Sequence, residues 1–116
     1  MKILVIEDNK DILEVLDTIL TDDGYEVISC SDGTAIDDLK NINPGLILMD
    51  ELLPSVKGSE LCLRIKADEE LTHIPVVLIS ALQSVENIAD KCGADAYVAK
   101  PFDIDALSKL IKSLLN

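Results

Sequence analysis

The chain is nearly devoid of aromatic side chains, with no Trp, one Phe and two Tyr in 116 residues. Its core must therefore be drawn from Ile, Leu, Val and Ala within the 48% hydrophobic fraction. Basic residues are scarce too. Ten Lys and Arg stand against 22 Asp and Glu, giving a formal net charge of −12. No Lys/Arg cluster is present to neutralise phosphates, so direct nucleic-acid binding is not expected. Acidic runs such as Asp22-Asp23 and Glu69-Glu70 read as ordinary solvated surface. The three cysteines, Cys30, Cys62 and Cys92, are odd in number and widely spaced among apolar residues. They read as small buried thiols in a reducing compartment, neither disulfide-bonded nor metal-bound. Long apolar runs are also missing. Only four apolar residues in succession precede Glu7, too few for a signal peptide, and nothing approaches the length of a membrane span. A cytoplasmic protein without a membrane partner is expected.

Two periodicities alternate along the chain. Apolar, strand-like runs occur at 2–6, 25–29, 45–49, 75–79 and 95–99. Between them lie stripes with helical spacing: Ile12, Leu13, Leu16, Ile19 and Leu20; Ala35, Ile36, Leu39 and Ile42; Leu61, Ile65 and Leu71. Val85, Ile88, Ala89 and Cys92 make a fourth, and Leu107, Leu110, Ile111 and Leu114 a fifth. Gly24 and Gly93 fall just beyond helical stretches, where left-handed caps are needed, and Asn9, Asp32, Ser84 and Asp103 suit N-caps. No linker, repeat or low-complexity stretch interrupts residues 1–116. Five β-α units in alternation predict a single (βα)5 domain, an α/β fold with a doubly wound parallel sheet. At this size it can bury about two-thirds of its unfolded surface.

The chemistry gathers at strand ends. Asp50 closes the wholly apolar run Gly45–Met49, the first run leads into Glu7-Asp8, and the last leads into Lys100-Pro101. Open α/β sheets bind ligands beyond the carboxyl ends of their strands. Two carboxylates about 4 Å apart repel by about 4 kcal/mol at an effective dielectric near 20. Three crowded on one edge call for a hard divalent cation, and Mg2+ favours a few carboxylates together with waters and phosphate oxygens. Alongside such an ion Asp50 could act as a nucleophile towards phosphorus, with a nearby Lys stabilising charge on the transferred group. The turn Glu7-Asp8-Asn9-Lys10-Asp11 has no Gly-rich or Ser/Thr-rich cradle, which argues against a flavin or nucleotide enzyme.

In this order and spacing, Glu7-Asp8, Asp50, Leu53-Pro54 with Gly58, Ser80-Ala81, and Tyr97 three residues before Lys100-Pro101 form a recognisable set. It resembles the receiver domain of two-component response regulators, including single-domain chemotaxis regulators, over essentially all 116 residues. The resemblance implies a flavodoxin-like strand order of 2-1-3-4-5. It also implies that Asp50 takes a phosphoryl group from a phosphohistidine of a sensor histidine kinase or phosphotransfer protein. The protein would then be a phosphoacceptor switch rather than an enzyme in the usual sense. Asp8, Asp50 and the Leu52 backbone carbonyl would ligate Mg2+, with Glu7 acting directly or through water; Mn2+ or Ca2+ could substitute in vitro. Ser80 and Lys100 would contact phosphoryl oxygens, and the Lys100–Pro101 bond is expected to be cis. Tyr97 would swing inward when Ser80 moves, reshaping the face of the fourth helix, fifth strand and fifth helix for a downstream output domain or partner. A homodimer through that face is compatible with the resemblance.

Departures from the family pattern carry their own expectations. Glu51 stands where an apolar residue is usual; alternation turns it away from Asp50, and a solvated side chain is expected. Lys57 replaces an Asp or Asn before Gly58 and could compete with the metal for the carboxylates. Leu52 and Leu82 should border the path of a hydrolytic water and slow self-dephosphorylation. His73 reads as a surface residue rather than a second phosphoacceptor. A phosphorylation-independent interaction module on the same fold is the alternative function. The chain reads either as a stand-alone receiver that docks to partners or as the receiver piece of a longer regulator.

Overall fold

Apolar runs without polar alternation make strands that are covered on both sides, and the three central strands here are covered in that way. The computed structural model describes residues 1–115. Its elements follow the chain as β1 (Lys2–Ile6), α1 (Lys10–Asp22), β2 (Glu26–Cys30), a 3-10 segment (Gly33–Asp38) continuing into α2 (Leu39–Ile42), and β3 (Leu46–Asp50). Then come α3 (Gly58–Ala67), β4 (Val76–Ser80), α4 (Val85–Cys92), β5 (Ala96–Ala99) and α5 (Ile104–Leu115). All strand pairings are parallel, in the order β2-β1-β3-β4-β5. This is the flavodoxin-like arrangement.

Side-chain alternation divides the core into two layers. Ile47 and Met49 of β3 join Leu61, Cys62, Ile65, Ala89 and Cys92 on the side of α2, α3 and α4. Leu46 and Leu48 join Leu16, Leu20, Leu107 and Ile111 on the side of α1 and α5. Every residue of β3 and β4 is buried. Each fully buried Leu or Ile contributes about 1.5–3 kcal/mol relative to exposure, so the central strands are held firmly in register. β5 is an edge strand and alternates between half-buried and exposed positions.

Several boundaries differ from the periodic reading. Strands β2 to β5 each begin one residue later than the apolar runs, because the preceding turn uses the first residue. The stripe from Ala35 to Ile42 is a 3-10 segment followed by one α-turn. Asp32 closes a tight turn by accepting from Thr34 N–H and Oγ1, Asp37 and Asp38 are poor interior helix formers, and Asn43 stops the segment in a left-handed conformation. α3 ends at Ala67, so Leu71 packs on the core from the following turn. Asn9 caps α1 through the N–H groups of Asp11 and Ile12. Ser84 occupies the N-cap position of α4, but its side chain makes no capping bond. Gly24 (φ 97) and Gly93 (φ 79) end α1 and α4 in left-handed conformations. His73 is exposed. All three cysteines are free, and burial pushes the Cys62 thiol up to about 12, which leaves it inert. No helix among the described residues is long and apolar enough to cross a membrane.

Candidate functional site

Parallel strands place their carboxyl ends on one edge, and the acidic and basic residues singled out above meet there. Glu7 directly follows β1, where its N–H donates to the Cys30 carbonyl at 3.0 Å. That bond pulls the residue into the sheet edge, and Glu7 is fully buried. Asp8, one residue on, is exposed. Asp50 is the last residue of β3 and is 6% exposed. Glu7, Asp8 and Asp50 each bring a carboxylate oxygen within 4.8 Å of the others.

Lys100 enters from the end of β5, with its side chain only 15% exposed. Its Nζ donates to Glu7 Oε1 at 2.6 Å and lies 3.6 Å from Asp50 Oδ1. The Lys100–Pro101 bond is cis. One ammonium against three carboxylates leaves the site short of positive charge. Glu7 registers that shortage. Burial chiefly, with the neighbouring Asp50 carboxylate, pushes its acid up to about 7 in spite of the Lys100 ion pair. Glu7 Oε2 is also the one buried side-chain polar atom among the described residues without a hydrogen-bond partner. An orphaned carboxylate oxygen inside a carboxylate cluster fits a hard divalent cation, for which Glu7, Asp8 and Asp50 supply suitable oxygens.

Ser80 ends β4 and is fully buried. Its Oγ accepts the Leu82 N–H at 3.1 Å, so its own hydroxyl proton can still be donated. The Lys100 N–H donates to the Ser80 carbonyl at 2.9 Å, which ties β5 to β4 beside the site. Leu52 lies in the turn after β3, where it forms an antiparallel bridge with Lys57, and the residue is 54% exposed. Tyr97 on β5 is 41% exposed and does not join the cluster.

Two expectations are corrected. Glu51 is 3% exposed rather than solvated. Alternation does turn it away from Asp50, but onto the face of Met49, where α3 covers it; both its oxygens accept from Ser59, from N–H at 2.6 Å and Oγ at 2.9 Å. The β3 parity together with Ser59, eight residues later in the first turn of α3, was the signal available for this contact. Lys57 is exposed and forms no ion pair with Glu7, Asp8 or Asp50, so it does not compete for them.

Fold and site together are those of a receiver domain of two-component signalling. A family model described as the response regulator receiver domain matches residues 3–112, and the chain belongs to that family. The polar-differentiation response regulator DivK of Brucella ovis is 35% identical over 117 residues, spanning 98% of this chain and 95% of DivK. The signal receiver domain of a signal transduction histidine kinase from Syntrophus aciditrophicus is similar with a TM-score of 0.91 and 33% identity, covering 98% and 89% of the two chains. The response regulator TrrA of Thermotoga maritima, solved in complex with Mg2+ and BeF, gives a TM-score of 0.88 at 29% identity and 98% coverage of both chains.

Proposed function

We propose that Asp50 is the phosphoacceptor of a Mg2+-dependent phosphorelay, charged by the phosphohistidine of a sensor histidine kinase or phosphotransfer protein. The carrying observation is the placement of Asp50, buried at the end of β3, 3.6 Å from Lys100 and inside a carboxylate trio with an unpartnered oxygen. Asp8 and Asp50 would hold the ion, with Glu7 acting directly or through water and the Leu52 backbone carbonyl completing the protein ligands. When bound, Mg2+ neutralises the carboxylates and the charge on the equatorial phosphoryl oxygens.

An Asp50 carboxylate oxygen attacks phosphorus, the P–N bond to the donor imidazole breaks, and the imidazole takes up a proton. Lys100, already turned towards Asp50, pairs with one phosphoryl oxygen, and the Ser80 hydroxyl donates to another. The Ser80 hydroxyl is tied to the Leu82 N–H, so its movement drags the segment leading into α4. Tyr97, opposite Leu78 on the adjoining strand, then swings inward and changes the α4–β5–α5 face presented to an output domain or partner. Moving such a switch from 1% to 99% takes about 5.5 kcal/mol of differential interaction. Two or three charge-assisted hydrogen bonds at about 1.5–3 kcal/mol each are of that order.

An apolar groove lined by Ile12, Val15, Ala81, Pro101, Phe102 and Ile104 opens beside Lys100 and offers a donor protein a surface next to the acceptor. The chain works in the cytoplasm and is a switch that takes part in its own phosphorylation and dephosphorylation, not a turnover enzyme. Incubation with acetyl phosphate and Mg2+, read by intact mass, should add one phosphoryl group that EDTA and Asp50→Asn both abolish. Undiminished labelling of D50N would refute the assignment.

A further inference from the structure

We propose that Glu51 is a positioning residue for this site, fixing from β3 both the N-terminus of α3 and the turn that carries the Leu52 carbonyl. The inference rests on the phosphoacceptor reading above and adds a residue to it.

The first N–H groups of a helix have no partner within it, and a side chain or backbone oxygen must supply one. The N-cap residue of α3 is Lys57, whose side chain makes no capping bond. Glu51 takes its place from outside the helix. Its backbone carbonyl accepts the Gly58 N–H at 2.9 Å, and its carboxylate accepts Ser59 N–H at 2.6 Å and Ser59 Oγ at 2.9 Å. A buried carboxylate is also well placed against the positive end of the helix dipole.

The attachment is close. A Cβ added at Gly58 would overlap the Asp50 carbonyl oxygen and crowd Glu51 Cα, so α3 sits directly on the Asp50–Glu51 peptide. The Leu52–Lys57 bridge closes the turn between these points. The chain is therefore pinned immediately after the acceptor Asp50 and immediately around Leu52. Both Glu51 oxygens are engaged, in contrast to Glu7 Oε2, so Glu51 acts through the backbone and not as a metal ligand.

The test is Mn2+ affinity by electron paramagnetic resonance and Mg2+ affinity by calorimetry for wild type, E51A, E51Q and S59A, with melting temperature in EDTA measured alongside. Loss of a partner that orients a metal ligand typically weakens binding by a factor of about ten or more. E51A should lose about tenfold, and E51Q, which still offers an acceptor to the Ser59 N–H, should regain most of it. S59A, which removes one of the two bonds and leaves the backbone one, should show a smaller loss in the same direction and serves if E51A does not fold. Lower melting temperatures with wild-type affinities would overturn the proposal by making the contact merely structural. E51Q as weak as E51A would overturn it in favour of a pure charge effect. A wild-type chain that took up no ion would instead refute the phosphoacceptor reading.

Discussion

Burial of Glu7 should make the metal-free chain lose stability as pH rises, and Mg2+ should reverse the loss. Its acid moves from an ordinary value of 4.5 to about 7 on folding, chiefly through burial. Below pH 4.5 Glu7 is protonated in both the folded and the unfolded chain, and no penalty arises. Between 4.5 and 7 the unfolded chain releases this proton while the folded chain keeps it, so stability falls with rising pH. Above 7 the folded chain carries the whole cost of an ionised, buried carboxylate with one orphaned oxygen. A shift of that size corresponds to about 3 kcal/mol, or roughly ten degrees of melting temperature for a domain of this length. Glu7→Gln isolates the effect, because groups that do not interact with Glu7 cancel in the difference between the two proteins. In EDTA, E7Q should gain on wild type by about 3 kcal/mol between pH 4.5 and 8 in urea titrations. Saturating Mg2+ at pH 8 should restore wild type and do little for E7Q, since ligand binding stabilises only a chain able to hold the ion. A difference between the two proteins that stayed flat from pH 4.5 to 8 would refute the reasoning.

Gly58→Ala should destabilise the fold by about 1–3 kcal/mol, because its methyl group would meet the Asp50 carbonyl; an unchanged urea midpoint would contradict the close seating of α3. Leu52 and Leu82, each two residues beyond an acceptor-site residue, put apolar surface at the rim, so phosphoryl loss followed by intact mass should take minutes or longer. Replacing both with Asn should shorten that lifetime several-fold, and a wild-type lifetime of seconds would refute the shielding role.

The parts of this molecule that the sequence exposes are those where one physical demand acts alone. An uninterrupted apolar run such as Leu46–Met49 has to be covered on both faces, so its place in the sheet centre was legible. A carboxylate at the end of such a run has to emerge at the edge, which put Asp50 and Glu7 beside one another without coordinates. The 3-10 segment was not legible, because Ala35, Ile36, Leu39 and Ile42 keep helical spacing whichever helix type forms. There the choice fell to Asp32, whose bond to Thr34 tightens the first turn. Tyr97 was legible as a strand residue only, since its exposure depends on how α4 packs against an edge strand.

Glu51 shows why a correct local rule can still lead to the wrong environment. Alternation separates it from Asp50, and that much follows from the strand alone. Its surroundings depend on a helix that begins at Gly58, and solvent would have been the answer had α3 started a turn later. Neighbouring carboxylates on one strand end thereby acquire opposite characters. The Asp50 side is short of positive charge, with Glu7 Oε2 lacking any partner, whereas both Glu51 oxygens are bound by Ser59. An acidic edge can remain ready for a cation and a phosphoryl group only if the backbone beneath it does not relax away from the repulsion. The helix seated on the Asp50–Glu51 peptide, tethered through Glu51, provides that resistance on the side of the sheet away from the charge.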